Sequence, residues 1–337
     1  MPRLVDRNPA VEPARLVGEL VAPPRFAGES FDSYLPDPQQ PTQAAAVAGL
    51  RAFAGRLLAA EPAPSRFRFR RAAPPEARAG VYLDGGFGVG KTHLLASLWR
   101  VAPGPKAFGT FVELTNLAGA LGFARTVEVL SRHRLVCIDE FELDDPGDTV
   151  LMSTLLSRLV DAGVRLAATS NTLPDRLGEG RFAAADFLRE IQGLAGHFDV
   201  FRIDGEDYRH RGLPSAPPTL SDAQVLAAAG ADGWRDRFDE LLAHLARVHP
   251  SRYGALLDGV GRVHWTGVRT VTDQAAALRL VVLADRLYDR DIPVIASGIA
   301  LDQLFDAEML RGGYRKKYYR AISRLVALGR QGAGLVG

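Results

Sequence analysis

A chain of 337 residues with 47% hydrophobic content is long enough for two or three domains, and a formal charge of +2 demands neither a nucleic-acid nor a membrane partner. One cysteine excludes an intrachain disulfide and fits a reducing compartment; Cys137 falls in an apolar strand and reads as a core residue. No apolar run reaches membrane-spanning length and no signal-peptide h-region is seen, so the expectation is a soluble, cytoplasmic protein.

Residues 1–60 read as a polar, proline-punctuated arm followed by a helix. The arm holds one amphipathic stretch around Leu16–Val21 and the extended run Phe31–Pro41, and the helix runs from Gln43 to Ala60. Arg66–Arg70 alternates basic and aromatic residues, with Arg71 following, and reads as a solvated edge or loop, with nucleic-acid contact as the alternative. Residues 61–212 form the expected core. Val81-Tyr82-Leu83 ends a strand and His93–Trp99 lies on a helix. Gly109–Leu114 reads as a second strand, followed by a helix over Asn116–Phe123. Arg134–Glu140 is a third strand, Asp148–Ala162 a helix, Val164–Asn171 a fourth strand, Asp186–Leu194 a helix and His197–Ile203 a fifth strand. Strands alternating with helices predict an α/β fold, a parallel sheet with helices on both faces. Residues 213–233 read as a linker. Residues 234–328 read as a smaller, mostly helical domain, with helices over Asp232–Val248, Gln274–Tyr288 and Tyr318–Leu328. Residues 329–337 read as a flexible tail.

Between the first strand and its helix lies Gly85-Gly86-Phe87-Gly88-Val89-Gly90-Lys91-Thr92, the phosphate-loop pattern of P-loop NTPases. Glycines let backbone N–H groups approach phosphate oxygens, and the helix start, with His93 next in line, adds its positive dipole end. Lys91 then reaches the β- and γ-phosphates of ATP, and Thr92 is a ligand for Mg²⁺. Ligands of open parallel sheets bind at the carboxyl ends of the strands, where the third strand ends in Asp139-Glu140 and the fourth in Ser170-Asn171. Asp139 is the second Mg²⁺ candidate, and Glu140 the candidate base for an attacking water. Asn171 is placed to bond the γ-phosphate or that water, or else to cap its own loop. Arg181 and Arg189 follow at a plausible distance for transition-state charge, though each reads equally as a surface charge. Arg320 and Arg324 share a helical face.

These motifs, in this order, resemble the AAA+ branch of P-loop ATPases and, more closely, the ZapE family, relatives of the mitochondrial lactation-elevated ATPase. The resemblance runs from about Phe31 to about Leu328. It rests on Gly85–Thr92 as Walker A, Leu135–Phe141 as Walker B and Ala168–Pro174 as the sensor-1 strand. Asp207-Tyr208-Arg209, Arg279, Leu283–Asp289 and Tyr319–Leu325 match further family segments. It implies a strand order of 5-1-4-3-2, a helical lid, oligomer-dependent hydrolysis and a link to cell division through FtsZ. It makes Arg324 a candidate second sensor, with Arg320 next. Ala184, Ala185 and Asp186 stand where the family carries an Arg-x-Arg run, so an arginine finger is absent or moves to Arg181 or Arg189.

The leading expectation is a Mg²⁺-dependent ATPase that remodels a protein partner as a homo-oligomer. One alternative is a nucleic-acid-associated ATPase, suggested by the basic, tyrosine-bearing stretch Arg311–Arg324. The other is a nucleotide-gated binding module with little turnover, suggested by the missing Arg-x-Arg.

Overall fold

The structure is a computed structural model describing residues 2–10, 12–59, 78–86, 88–143, 146–177, 187–205, 216–230 and 233–335. The basic run Arg66–Arg71, Arg181 with Ala184–Asp186, and Asp207–Arg211 lie outside the described residues, as do Phe87, Asp144 and Asp145. The chain divides into two compact units, Val17–His210 and a second made of Met1–Leu16 with Arg211–Gly337. A short helix α1 (Pro13–Gly18) is followed by α2 (Pro41–Ala59).

The Val17–His210 unit is built on β1 (Gly80–Gly85), β2 (Lys106–Thr110), β3 (Leu135–Asp139), β4 (Arg165–Ser170) and β5 (Phe198–Ile203). All pair in parallel in the order β2-β3-β4-β1-β5, with helices on both faces. This is the order the resemblance implied. The helices are α3 (Lys91–Val101), α4 (Phe111–Leu121), α5 (Phe123–Leu130), α6 (Pro146–Asp161) and α7 (Leu188–Ala195). Val81, Tyr82, Leu83 and the whole of Leu135–Ile138 are fully buried. Such unbroken apolar runs belong to central strands covered on both sides. Cys137 sits in this core, where burial pushes its thiol well above the usual range.

One boundary differs from expectation. The second strand stops at Thr110, and Phe111–Leu114 is already helix α4. The cause is a capping box: the Thr110 side chain accepts from Glu113 N–H at 3.2 Å, and the Glu113 carboxylate accepts from Thr110 N–H at 2.5 Å. Two first-turn donors are satisfied, so the apolar run bends into a helix instead of extending the strand.

The second unit carries the expected helices and also a three-stranded parallel sheet. Its helices are α8 (Asp222–Ala229), α9 (Phe238–Arg247), α10 (Tyr253–Leu256), α11 (Gln274–Asp289) and α12 (Arg315–Ala333). Its strands, β6 (Trp234–Arg237), β7 (Val263–Val268) and β8 (Val294–Gly298), pair in that order. Trp234–Arg237 is therefore strand, not the start of the helix expected from Asp232, and α8 lies in the stretch read as linker. Asp236 is almost fully buried because it accepts from the N–H groups of Leu4 and Val5, at 3.1 and 3.2 Å. This pins the start of the polar, proline-punctuated arm into the second unit's core.

Helix α12 runs on to Ala333, past the point where a flexible tail was expected. Its glycines serve packing rather than flexibility. A Cβ at Gly332 would clash with the Val294 carbonyl of β8, and one at Gly329 would come 2.8 Å from Leu301.

Candidate functional site

The carboxyl ends of β1, β3 and β4 bring the sequence-predicted residues together. Gly88 and Gly90 have φ of +79° and +86°, which L side chains rarely adopt. The turn they permit delivers Lys91 to the first position of α3. The Lys91 ammonium donates to the carbonyls of Gly85 at 2.7 Å and Gly86 at 2.5 Å, and to Asn171 Oδ1 at 2.8 Å. Burial lowers its pKa to about 8, outweighing the carboxylates of Asp139, Asp84, Glu140 and Glu142 that favour its charge. A desolvated cation on carbonyl dipoles is well matched to a phosphate, whose negative charge would hold its proton in place.

Thr92 follows on α3, and its hydroxyl lies 3.0 and 3.2 Å from the two Asp139 carboxylate oxygens. Asp139 is held from the other side by Thr169 of β4, whose hydroxyl donates to it at 2.5 Å. The same Thr169 oxygen accepts from Glu140 N–H at 3.0 Å, and Thr169 O accepts from Phe141 N–H at 2.7 Å. Thr169 thus anchors the turn by which the chain leaves β3. In that turn Glu140 has φ of +55°, a left-handed conformation that costs a non-glycine residue about 1 kcal/mol or more. A hydroxyl and a carboxylate side by side suit a hard divalent cation. Among the described residues no three His, Cys, Asp or Glu gather into a cation cage. The oxygen pair therefore fits a cation that brings most of its other ligands with it, as Mg²⁺ on a nucleotide does.

Asn171 bridges two groups. Besides accepting from Lys91, its amide lies 3.5 Å from Glu142 Oε1, a long contact. Glu142, Asp84, Thr169 and Tyr34 escaped the sequence reading. Asp84 precedes the glycine loop and is almost fully buried. Arg202 of β5 bonds it at 3.0 Å, yet burial still raises its pKa. With Asn171 and Arg176 these two line a recess of about 320 Å³. The available signal was a carboxylate next to the glycine loop at a strand's end.

The N-terminal arm straps the loop. Tyr34, buried, donates its hydroxyl to Val89 O at 2.8 Å, and its ring lies where a Cβ on Gly90 would be, 2.5 Å away. The His93 ring also belongs to this strap: Nε2 is 2.9 Å from Ser30 O and 3.1 Å from Ser33 Oγ, and the ring stands edge-on to Tyr34. Only the backbone of His93 is left to face a ligand.

The arginines stand differently. Arg189 is exposed on α7. Arg320 and Arg324 belong to the other unit, where both bond the Asp285 carboxylate, Arg320 at 2.8 Å, and hold its pKa below the usual range against burial. Arg324 also lies over the Tyr288 ring, 5.2 Å from its centre.

The sequence model of the AFG1-like ATPase matches residues 10–232 and 220–333, nearly the whole chain. The chain belongs to the AFG1-like ATPase family. Within it, the chain is 32% identical to cell division protein ZapE of Escherichia coli K12 over 179 residues, 50% of this chain and 46% of that protein. It is 30% identical to lactation elevated protein 1 homolog B of Danio rerio over 95 residues, 28% of this chain and 19% of that one. The matched regions thus span under half of these relatives' length. Solved structures overlap more loosely. A DnaC helicase loader gives a TM-score of 0.36 at 17% identity, covering 53% of this chain and 99% of its own. AMPPCP-bound DnaA from Aquifex aeolicus gives 0.38 at 12%, covering 52% and 50%. Overlap this loose says nothing of what an AFG1-like chain acts on.

Proposed function

We propose that the chain is a Mg²⁺-dependent ATPase that uses hydrolysis of ATP to ADP and phosphate to remodel a protein partner. The observation that carries this reading is the meeting of Lys91, Asn171, Thr92 and Asp139 at the ends of adjacent strands. Lys91 and the backbone of Gly85–His93 hold the phosphates. Thr92 and Asp139 hold Mg²⁺, which when bound neutralises charge building on the β- and γ-oxygens. Glu140 takes the proton of the attacking water, and Asn171 orients that water while fixing Lys91. Arg324 is the second-sensor candidate taken from the family resemblance, and Arg181 or Arg189 the finger supplied by a neighbouring copy. By the likeness to ZapE, the partner is a cell division protein, with FtsZ the first to test, and the site of action is the cytoplasm.

The test is ATP turnover per chain against protein concentration, with and without FtsZ polymer. Turnover that climbs with concentration and with polymer supports a shared, partner-coupled site. Flat, slow turnover contradicts it and favours the nucleotide-gated binding module.

The nucleic-acid reading keeps less of its ground. Within Arg311–Arg324, Arg320 and Arg324 are committed to Asp285, and Tyr318 is buried against Phe305 with ring centres 4.7 Å apart. Arg311, Arg315 and Tyr319 remain exposed.

A further inference from the structure

Parallel strands place all their amino ends on one edge of the sheet, opposite the phosphate loop. On that edge of the Val17–His210 unit lies a cleft of about 390 Å³. Its walls hold Arg56 from α2, Arg78 from just before β1, Arg132, His133 and Arg134 from the turn between α5 and β3, and Arg165 from the start of β4. No acid is among its described lining residues, and its apolar part is Phe53, Leu57 and Ala162.

Some of this charge has an internal use. Helices α2, α5 and α6 end on this edge, where their last carbonyls favour cations. Arg134 donates to Leu57 O at 3.5 Å, and His133 Nδ1 lies 3.1 and 3.2 Å from Val129 O and Leu130 O. Arg132 bonds Glu128 at 2.7 Å, and Arg78 donates to Phe198 O at 2.5 Å. These needs leave out Arg56 and Arg165. Both are exposed, and among the described residues neither has a carboxylate partner; Arg56 lies over the Phe53 ring, 5.4 Å from its centre.

A concave site with several guanidinium forks and no acid suits anionic groups held along a chain, because each fork can take a planar carboxylate with two parallel bonds. A nucleic-acid strand would also want exposed aromatic faces for its bases. Among the cleft's described lining residues the one Phe, Tyr or Trp, Phe53, is 2% exposed and offers none. A membrane surface is flat and does not enter a concavity.

We propose that this cleft docks an acidic, Asp- and Glu-rich peptide segment of a protein partner. The site is separate from the phosphate loop, and docking there needs no nucleotide, so its test stands apart from that of the ATPase reading.

The test uses the full chain without nucleotide and a fluorescently labelled dodecamer of alternating Asp and Glu, followed by anisotropy. Saturable binding is expected. R165E should weaken it by ~10-fold or more, the size of one lost charge-assisted contact. R176E, an equal charge change at an exposed position of the same unit, beside Asp84 and Asn171 at the strands' carboxyl ends, should change it less than ~2-fold, as a surface charge away from the contact does. R56E on the exposed face of α2 repeats the comparison if R165E does not fold. Absence of saturable binding overturns the proposal, and so does an equal loss in R165E and R176E. Displacement of the peptide by dT12 more readily than by unlabelled peptide overturns it in favour of nucleic acid.

Discussion

The ammonium of Lys91 lies 2.8 Å from the side-chain oxygen of Asn171, which ties the phosphate loop after β1 to the end of β4. Asn171→Ala removes an orienting group and leaves the phosphate-binding backbone intact. ATP turnover should fall ~10²-fold, the cost of losing one preorganised contact. ATP affinity should change only a few-fold, about the worth of one hydrogen bond. Steady-state kinetics beside a direct nucleotide titration separates the two.

Thr169 holds Asp139 and the N–H of Glu140 with one hydroxyl. Thr169→Val keeps the volume and strips both bonds from a buried site, so stability should fall by about 1–3 kcal/mol in a denaturant melt. Turnover should fall further than that loss explains at temperatures where the variant is folded. Thr169→Ser, which keeps the hydroxyl, should recover most of the turnover.

Because burial lowers the pKa of Lys91 to about 8, the nucleotide-free protein loses this charge as pH rises through that value. Bound phosphate favours the protonated form, so nucleotide association takes up a proton. ATP affinity should hold below about pH 8 and weaken above it, by at most ~10-fold per pH unit. Calorimetry in buffers of different ionisation enthalpy should show more proton uptake near pH 8 than at pH 6.5. Lys91→Ala should abolish nucleotide binding.

How much of this was legible follows from what each signal needs. The clustering of Gly85–Thr92, Asp139 and Asn171 follows from local pattern plus the rule that parallel strands gather their carboxyl ends, whereas the strand order came only with the family resemblance. Thr169 and Asp84 were hidden because their importance lies in cross-strand contacts, and no spacing rule links Thr169 to Asp139. Tyr34 was hidden because an arm some 50 residues upstream shows its partner only once folded. The strand β6 was lost because Trp234–Arg237 is short and three of its four residues are charged, so it resembled the start of the next helix. The capping box at Thr110 and Glu113 was readable, and the β-rich run Gly109–Val112 masked it.

Tyr34 sets the height of the loop on its strap. Tyr34→Phe loses only the bond to Val89 O, and ATP Kd should rise roughly 3–10-fold, about 1 kcal/mol. Gly90→Ala meets both the Tyr34 ring and a φ of +86°, and nucleotide binding should be lost. Fluorescent-nucleotide titration reads both variants.

Asp285 is clasped by Arg320 and Arg324 in the second unit. Asp285→Asn leaves two guanidinium groups without their carboxylate and should cost roughly 3 kcal/mol. Its pKa is lowered by folding, so its contribution is present above the unfolded carboxylate value of ~3.9 and is lost as pH falls through the folded value. Denaturant melts of the full chain from pH 7 down to 3 should show the gap between wild type and variant narrowing on acidification.

If Glu140 activates water on ATP held by Lys91, measuring ATP turnover and ATP Kd together for the wild type and Glu140→Gln shows it. Binding should be unchanged and turnover down at least ~10²-fold, the loss expected of a general base. Wild-type turnover in Glu140→Gln would contradict it.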